Sequence, residues 1–347
     1  MNISKKSFGI TRKGEQADLF ILKNDQIEVS ITNYGGIITS ILMPDKQGKK
    51  EEIVLGFDQL EEYWSEQYLR NCHYFGCIVG RVCNRISNGR FELNGKTYQL
   101  AINDADRHIH GGIEGFDKKV WNATIIEETN KVGVELSYLS PDMEEGYPGN
   151  LQTKVRYTLN DNNELSLEYE AQTDQPTIIN LTNHSYFNLN SDQSTVLNHF
   201  LEIPAEDYVE LINLMPTGRI LKTANTPYDF RKKQTIGEQI NAIPDGYDLN
   251  YILKKPIGEL AWAGTLSEAN SGRNIEVFTT QPGLQIYSGY YIPELELNGE
   301  KCFGKYSGFA LETQHYADSV NHPKFPSTVL NPGETYQQKT IYKFGIK

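Results

Sequence analysis

Apolar and polar residues alternate one by one through long stretches of this chain, and turn residues interrupt the alternation roughly every ten positions. A side-chain period of two is typical of a strand with one buried face, whereas a helix repeats about every 3.6 residues. The clearest case is FELNGKTYQL at residues 91–100, where Asn94-Gly95 is the dipeptide that most strongly indicates a tight hairpin. The alternation therefore predicts an all-β chain built mainly from antiparallel strands.

Further strands are predicted along the whole length. Residues 26–43 alternate and turn at Gly35-Gly36, and the stretches VELSYLS, LQTKVRYTL and LSLEYEAQT follow as strands. A second hairpin is predicted in GTLSEANSGRNIEVFTT, with its turn near Ser271-Gly272, and TYQQKTIYKFGI alternates like a further strand. Helical patterns are confined to residues 58–67, behind an Asp58 N-cap, and to residues 235–243. Helices are therefore expected to be few and short.

The 347 residues show no repeat, no low-complexity tract and no linker-like change of composition. Hydrophobic residues make up 38% and charged residues 22%, which is enough apolar material for a core and too little charge for a disordered chain. A chain of this length with strands throughout predicts a single large β-sandwich domain over residues 1–347.

The formal net charge is −12. Nucleic-acid binding needs a basic surface, and anionic membranes repel an acidic one, so neither partner is expected. A neutral or cationic small ligand fits this charge better. Residues 1–16 lack the apolar stretch of a secretory signal, and no window approaches the roughly 18 apolar residues of a membrane span.

The four cysteines are Cys72, Cys77, Cys83 and Cys302. Their spacing fits neither CxxC zinc ligation nor a dense disulfide framework. We therefore expect free buried thiols, which suit a reducing cytoplasm. The sequence leaves open whether the first three lie together.

Five polar clusters stand inside stretches that otherwise fit a strand or a tight loop. They contain Asn84-Arg85, His110, His184, Asp248 and Glu312. Taken singly, each has an ordinary structural role, such as a solvated loop histidine, a hydrogen-bonded core histidine, a turn aspartate, a bracing arginine or a paired acid. Taken together, acids, imidazoles and a guanidinium can hold a neutral, hydroxyl-rich ligand and move its protons.

Other chemistries find weaker support. His108 and His110 can share a strand face, which raises a metal hypothesis, but they lack the i, i+4 helical spacing of HExxH zinc enzymes. GGIEGF at residues 111–116 has too few glycines, at the wrong spacing, for a phosphate-binding loop, and no GxSxG occurs. We therefore expect neither a metal nor a cofactor.

Six segments, in this order, resemble the aldose 1-epimerase (galactose mutarotase) family: NRISNGRFELNGKTYQL, IHGGIEGFDKKVW, NLTNHSYFNL, GYDLNY, TTQPGLQIYSGYY and SGFALETQHYADSVNHPKFPS. The resemblance spans nearly the whole chain, and the IHGG, NHSYFNL and LETQ blocks are specific as a set. It implies a β-supersandwich with a few short helices. It also implies an isomerase that interconverts the α and β anomers of free aldohexoses such as galactose and glucose, usually within galactose catabolism.

Residue by residue, the resemblance implies Glu312 as catalytic base, His184 as catalytic acid and His110 as a second active-site histidine. It implies sugar-binding positions at Asn84, Arg85, Asp248 and Gln285. A glutamate with an ordinary pKa of about 4.3 is ionised at neutral pH, and a histidine with a pKa of about 6.5 is partly protonated. These ordinary values suit a base and an acid.

The chain departs from the family pattern at Leu249, which follows Asp248 where many relatives carry histidine. We expect this change to alter the pocket edge and the substrate preference and to leave the catalytic pair untouched. Neither the preferred aldose nor the oligomeric state follows from the sequence.

Three rival functions stay open. A hexose-6-phosphate 1-epimerase on the same fold needs several arginines for its phosphate, and Arg81, Arg85 and Arg90 lie close in sequence, although the acidic net charge disfavours it. A non-catalytic sugar-binding module can share the fold, because fold does not fix function. A metal-dependent cupin-like enzyme is a more distant third.

Overall fold

The computed structural model describes residues 1–70, 73–190, 192, 194–297 and 301–347. Strands account for 48% and helices for 9%, so the all-β class predicted from the alternation is confirmed. Neighbouring strands of the large sheets run antiparallel, which the turn-rich pattern also predicts.

The strands are numbered in chain order. The first are β1 (Asn2–Ile10), β2 (Gln16–Lys23), β3 (Glu28–Thr32), β4 (Ile38–Pro44), β5 (Lys50–Glu52), β6 (Ile78–Val79), β7 (Arg85–Ile86), β8 (Arg90–Leu93), β9 (Lys96–Gln99), β10 (His108–Ile109), β11 (Asn122–Glu128), β12 (Lys131–Ser140), β13 (Leu151–Asn160), β14 (Glu164–Thr173) and β15 (Thr177–Ile178). There follow β16 (Thr182–Asn183), β17 (Tyr186–Phe187), β18 (Phe200–Glu202), β19 (Asp207–Ile212), β20 (Met215–Lys222), β21 (Gln234–Thr235), β22 (Asp248–Ile252), β23 (Ala261–Ser267), β24 (Arg273–Thr279), β25 (Gly283–Tyr287), β26 (Leu295–Leu297), β27 (Lys301–Phe303), β28 (Phe309–Gln314), β29 (Val329–Leu330) and β30 (Tyr336–Ile346).

The helices are short. They are α1 (Glu66–Arg70) and 3-10 helices at Leu60–Trp64, Ser87–Gly89, Phe116–Lys118, Glu144–Gly146, Val196–Asn198, Ile236–Glu238, Ile240–Ala242 and Ser319–Asn321.

Both predicted helices differ from expectation. Residues 58–67 form a 3-10 turn that stops at Ser65, where the backbone is extended, before α1 begins, and the N-cap is Gln59 rather than Asp58. Residues 235–243 form two 3-10 turns separated at Gln239. Helical segments this short are unstable by themselves, so packing against the sheets decides their form.

Three large sheets make up the architecture. Their strand orders are β1-β2-β3-β4-β5, β11-β12-β13-β14-β30-β24-β23-β18-β21 and β17-β28-β25-β22-β19-β20. One buried apolar cluster joins them, with Val29 from the five-stranded sheet, Val134 and Leu167 from the nine-stranded sheet, and Ile286 and Leu311 from the six-stranded sheet. This stack of antiparallel sheets is the sandwich that the sequence predicts.

Both hairpins predicted from turn residues are present. β8 and β9 pair around Asn94 and Gly95, whose φ values of 52° and 75° fit a two-residue turn with positive φ at both central positions. β23 and β24 pair across the turn that contains Ser271 and Gly272. Local turn chemistry is therefore enough to locate these two hairpins.

The strand β30 lies inside the nine-stranded sheet. It pairs with β14 on one side and with β24 on the other, along most of its length. The alternation predicts this strand but gives no information about its neighbours. By pairing on both sides, β30 joins the β11–β14 half of the sheet to the half that contains β24 and β23.

Arg273, the first residue of β24, is fully buried beside the five-stranded sheet. Its guanidinium donates to the backbone carbonyls of Pro44, Lys49 and Leu189. It also pairs with the Glu51 carboxylate of β5 at 2.9 Å. A buried charge is tolerated when it is paired and hydrogen-bonded, so Arg273 fastens β5 and the end of β4 to β24.

Cys77 and Cys83 are buried and free, as the cysteine spacing predicts. Cys72 lies outside the described residues, and so does the side chain of Cys302. In the part of the chain that the structure describes, no helix is long and apolar enough to cross a membrane.

Candidate active site

The six-stranded sheet presents a group of polar side chains on the face turned away from the apolar core. Glu312 on β28 lies directly opposite Gln285 on β25, and Asp248 on β22 lies opposite Tyr287 on β25. Cross-strand partners and residues two apart on one strand share a face, so these four side chains point to the same side. The register of three neighbouring strands therefore gathers residues that are far apart in the sequence.

Leu249 lies on the opposite face of the same sheet. It pairs with Ile286, is 3% exposed and belongs to the central apolar cluster. The expectation that Leu249 alters the pocket edge is therefore wrong, because strand alternation turns its side chain into the core.

His184 reaches the polar face from the segment between β16 and β17. Its backbone N–H donates to the Cys77 carbonyl at 3.0 Å, and its carbonyl accepts from the Gly76 N–H at 3.0 Å. The His184 side chain is buried, and its Nε2 lies 3.5 Å from Oε1 of Glu312. Within the described residues, His184 Nδ1 and Glu312 Oε2 have no hydrogen-bond partner. The pair is thus close, buried and available to a ligand.

His110 follows β10 and has a φ of 51°, a left-handed conformation that is uncommon outside glycine. Its backbone N–H donates to the Asn84 carbonyl at 3.1 Å, and the Asn84 N–H donates to the ring Nδ1 at 3.2 Å. Because Nδ1 accepts a hydrogen bond, the proton of the neutral ring sits on Nε2. The ring lies edge-on to the His184 ring, with centroids 5.1 Å apart. His110 therefore offers a neutral donor beside His184.

Arg85 on β7 is held between two acids. Its Nε donates to Asp104 at 3.0 Å, and its Nη1 lies 3.6 Å from Asp248. Asp248 also accepts from Nε2 of Gln285 at 2.6 Å. This network combines fixed donors and acceptors, which is the arrangement that hydroxyl groups of a sugar need.

These groups surround a half-open cavity of about 150 Å³. Its wall is formed by His73, Tyr74, Asn84, Arg85, Ile109, His110, His184, Tyr186, Asp248, Gln285, Tyr287, Tyr291 and Glu312. The seven positions that the resemblance implies for the site are all in this wall.

Sequence reasoning missed six residues of the wall, and four of them are tyrosines. Two could have been found by alternation, since Tyr186 lies two residues after His184 and Tyr287 two residues after Gln285. Nothing in the sequence distinguishes Tyr74 from the other tyrosines. Aromatic faces against the C–H groups of a sugar ring are a common mode of carbohydrate contact.

Burial governs the protonation of the site. It raises the pKa of the Glu312 carboxyl well above its ordinary value, and Asp248 raises it further while Arg85 lowers it. Burial lowers the pKa of His184 from 6.5 to about 3. Burial and the His184 ring lower the pKa of His110 well below 6.5. Burial therefore favours the form in which Glu312 is protonated and His184 is neutral, and the ordinary pKa values assumed from the sequence are wrong for this pair.

His108 does not share the cavity with His110. Its Nδ1 donates to the Ala101 carbonyl at 2.8 Å, so its Nε2 accepts from the Tyr147 hydroxyl at 2.6 Å. Both ring nitrogens are used in the protein interior. Among the described residues, no group of three or more histidine, cysteine, aspartate or glutamate side chains is arranged to hold a metal ion.

Comparison with known proteins identifies the family of this chain. The family model for aldose 1-epimerase matches residues 18–343. A galactose mutarotase from Bos taurus is 42% identical over 352 residues, which cover 100% of this chain and 99% of the relative. This chain belongs to the aldose 1-epimerase family. As an aldose 1-epimerase it is an isomerase that acts on carbohydrates.

Two further relatives of this aldose 1-epimerase are more distant. An aldose 1-epimerase from Escherichia coli is 34% identical over 340 residues, which cover 95% of this chain and 96% of the relative. The crystal structure of galactose 1-epimerase from Lactobacillus acidophilus matches with a TM-score of 0.85 at 27% identity, covering 99% of both chains. The β-supersandwich implied by the resemblance is thereby confirmed.

The arginines of the sugar-phosphate alternative do not meet in this aldose 1-epimerase. Arg81 is buried and donates to the carbonyls of Ser140, Pro141 and Pro148. Arg90 is exposed on β8 and is absent from the cavity wall. Arg85 is already paired with acids. A phosphate would therefore enter a wall with two carboxylates and without the expected arginine cluster, which disfavours it.

Proposed function

We propose that this enzyme interconverts the α and β anomers of free aldohexoses such as D-galactose and D-glucose. The observation that carries the proposal is the buried Glu312–His184 pair, 3.5 Å apart, in a small cavity lined by hydrogen-bonding groups. The relatives named galactose mutarotase and aldose 1-epimerase support the same reaction. Free sugars fit the cavity better than sugar phosphates because its arginine is already neutralised.

In the proposed reaction, Glu312 is the base and His184 is the acid. Glu312 takes the proton of the C1 hydroxyl while His184 protonates the ring oxygen O5, so the C1–O5 bond breaks and an aldehyde forms. Rotation about C1–C2 then presents the other face of the carbonyl. Reclosure returns both protons and gives the other anomer. Each such proton transfer typically contributes on the order of 10²- to 10⁴-fold.

The pKa directions fit this cycle. After ring opening, Glu312 is protonated and His184 is neutral, which is the distribution that burial favours. Before ring opening, His184 carries a proton and Glu312 is ionised, and sugar hydroxyls donating to the Glu312 carboxylate stabilise that form. Ring opening therefore moves one proton from the C1 hydroxyl to Glu312 and another from His184 to O5, so the pair carries one proton both before and after the step.

The other groups of the wall hold the sugar. His110 donates through Nε2–H to O5 or to charge that develops beside it. Asn84, Arg85, Asp248 and Gln285 bind the hydroxyls. Fixed contacts of this kind keep the reacting atoms at attack distance, which is a major source of rate acceleration.

Polarimetry with fresh α-D-galactose and α-D-glucose tests the proposal. The wild-type protein should accelerate the decay of optical rotation, and Glu312→Gln should lose on the order of 10²- to 10⁴-fold in kcat while still binding sugar. Glu268→Gln is the matched control, because Glu268 is also buried but accepts from the Asn270 and Ser271 N–H groups outside the cavity.

A Glu312→Gln variant with near wild-type kcat would refute the assignment of the base. If no free aldose is turned over by the wild type, hexose 6-phosphates are tested next, and binding without turnover of either would leave a sugar-binding module.

We also propose that residues 1–347 work as one domain in a reducing cytoplasm. The single apolar cluster shared by three sheets supports the first point. The free thiols of Cys77 and Cys83 support the second, since oxidising compartments favour disulfides.

A further inference from the structure

The 3-10 turn Glu144–Gly146 is hydrogen-bonded to the loop that follows His110. The Glu145 carboxylate accepts two backbone hydrogen bonds, from Ile113 N–H at 2.9 Å and from Glu114 N–H at 3.0 Å. Each carboxylate oxygen takes one of them. A charged acceptor on two amides is a stronger clamp than a neutral one, so this contact fixes the loop three to four residues beyond His110.

The backbone on both sides is shaped for this contact. Glu145 has a φ of 52°, and His110 has a φ of 51°, although neither is glycine. Gly112, with a φ of 113°, lies under the carboxylate, and a Cβ at that position would collide with Glu145. Non-glycine residues keep a left-handed conformation only where their surroundings stabilise it, so the contact between the turn and the loop stabilises the backbone of both.

Tyr147, the residue that follows the turn, makes a second contact with the chain on the N-terminal side of His110. Tyr147 is fully buried, and its hydroxyl donates to His108 Nε2 at 2.6 Å. His108 lies two residues before His110 and is held further by its bond to the Ala101 carbonyl. The turn therefore contacts the chain both before and after His110.

The turn is itself anchored to the nine-stranded sheet. The Glu144 carboxylate accepts from the Tyr138 hydroxyl at 2.7 Å and from the Ser140 hydroxyl, and it pairs with Lys119 at 2.7 Å. The Arg81 guanidinium donates to backbone carbonyls on both sides of the turn, at residues 140, 141 and 148. A clamp fixed to the sheet in this way can set the place of a loop.

We propose that Glu145 and Tyr147 are positioning residues for His110, and this rests on the proposed function of that histidine. Neither residue lines the cavity. They hold His110 where its Nε2–H meets the reacting end of the sugar beside His184. A displacement of about 1 Å at such a donor can cost on the order of 100-fold in rate.

A double-mutant cycle tests the proposal by polarimetry. Glu145→Ala should lower kcat/KM on the order of 10- to 100-fold, and Tyr147→Phe, which keeps the ring, should lower it less. In a His110→Ala background neither substitution should lower kcat/KM further, because its effect passes through His110. Glu114→Gln is the control in the same loop, since its carboxylate pairs with surface Lys13. Losses that add to that of His110→Ala overturn the proposal.

A second measurement does not depend on turnover. In ¹⁵N-labelled protein, the His110 ring should show the Nε2–H tautomer, and Glu145→Ala and Tyr147→Phe should shift or broaden its ring signals. His199, whose Nε2 accepts from Leu189 N–H at 2.7 Å, serves as an internal reference. His110 signals identical to wild type in both variants overturn the positioning role. A wild type without mutarotase activity removes the proposed function instead, and the ring signals still decide whether the clamp holds His110.

Discussion

At the residue scale, Glu312 and His184 share one proton over a wide range of pH. Burial disfavours both charged forms, which raises the pKa of the Glu312 carboxyl and lowers that of the His184 imidazole. With ordinary pKa values of about 4.3 and 6.5, a glutamate and a histidine would carry one proton between them only from about pH 4.3 to pH 6.5. In that range the glutamate is ionised and the histidine is protonated. The protein interior therefore sets the working range of this pair.

This predicts a broad pH profile. On the acid side, kcat/KM falls when the pair gains a second proton, which goes to His184. This acid limb is therefore shifted to low pH by the His184 pKa of about 3. The alkaline limb follows loss of the last proton and moves up with the raised pKa of Glu312. We expect kcat/KM, corrected for uncatalysed mutarotation, to have its acid limb well below pH 6.5 and its alkaline limb well above the ordinary pKa of a glutamate. An acid limb near pH 6.5 would show that His184 titrates as a solvated histidine.

The composition of the site could be predicted only partly from the sequence. Seven positions, from Asn84 to Glu312, follow from the resemblance and meet in one cavity. The protonation of His184 could not be predicted, because its pKa depends on burial by segments that are remote in sequence. Glu145 could not be predicted either, since a carboxylate on two backbone amides has no sequence pattern of its own.

At the element scale, strands were predicted well and helices poorly. Alternation and Asn-Gly or Ser-Gly turns are local, and β8, β9, β23 and β24 form where they are expected. The segment at residues 58–67 has apolar spacing that fits a helix, yet its conformation depends on packing of Leu60 and Tyr63 against the rest of the protein. Tertiary contacts override weak local preference in such short segments.

The contact of Arg273 on β24 with β5 and the end of β4 gives a prediction about stability. Arg273→Met should remove about 3–5 kcal/mol from the free energy of unfolding, because it leaves three backbone carbonyls without their donor and takes the buried cation away from Glu51, which keeps the exposed Lys49 as ion-pair partner. Arg231→Met is the control, since the Arg231–Asp229 pair is solvated and contributes little to the free energy of unfolding. Denaturant titration of both variants measures the difference. Equal losses would mean that Arg273 does not fasten the sheets.

At the scale of the whole molecule, the net charge of −12 exerts little long-range electrostatic force on a neutral sugar. Long-range fields change the encounter rate of charged ligands and are screened by salt. We therefore expect kcat/KM for galactose to change less than about twofold between about 20 mM and about 500 mM NaCl. Binding of a hexose 6-phosphate, if measurable, should strengthen with salt as the repulsion is screened. A steep salt dependence with the neutral sugar would indicate a charged substrate group.

The arrangement of whole sheets was beyond prediction from the sequence. Each strand of the nine-stranded sheet can be predicted from its own residues. The order β14-β30-β24, however, joins segments that are far apart in the chain, since β14 ends at Thr173, β24 begins at Arg273 and β30 begins at Tyr336. Pairing between remote strands depends on the complementarity of complete faces, which no single segment contains.

The central place of β30 has a consequence for synthesis on the ribosome. β14 ends at Thr173 and its partner β30 begins at Tyr336, about 160 residues later. At roughly 5–20 residues per second, translation takes on the order of 10 s to produce that partner. During this time the nascent chain carries an unpaired strand edge that other nascent chains can join. Protection of that edge while the polypeptide is being made, more than the strength of the finished fold, is therefore expected to limit how much active protein a cell obtains.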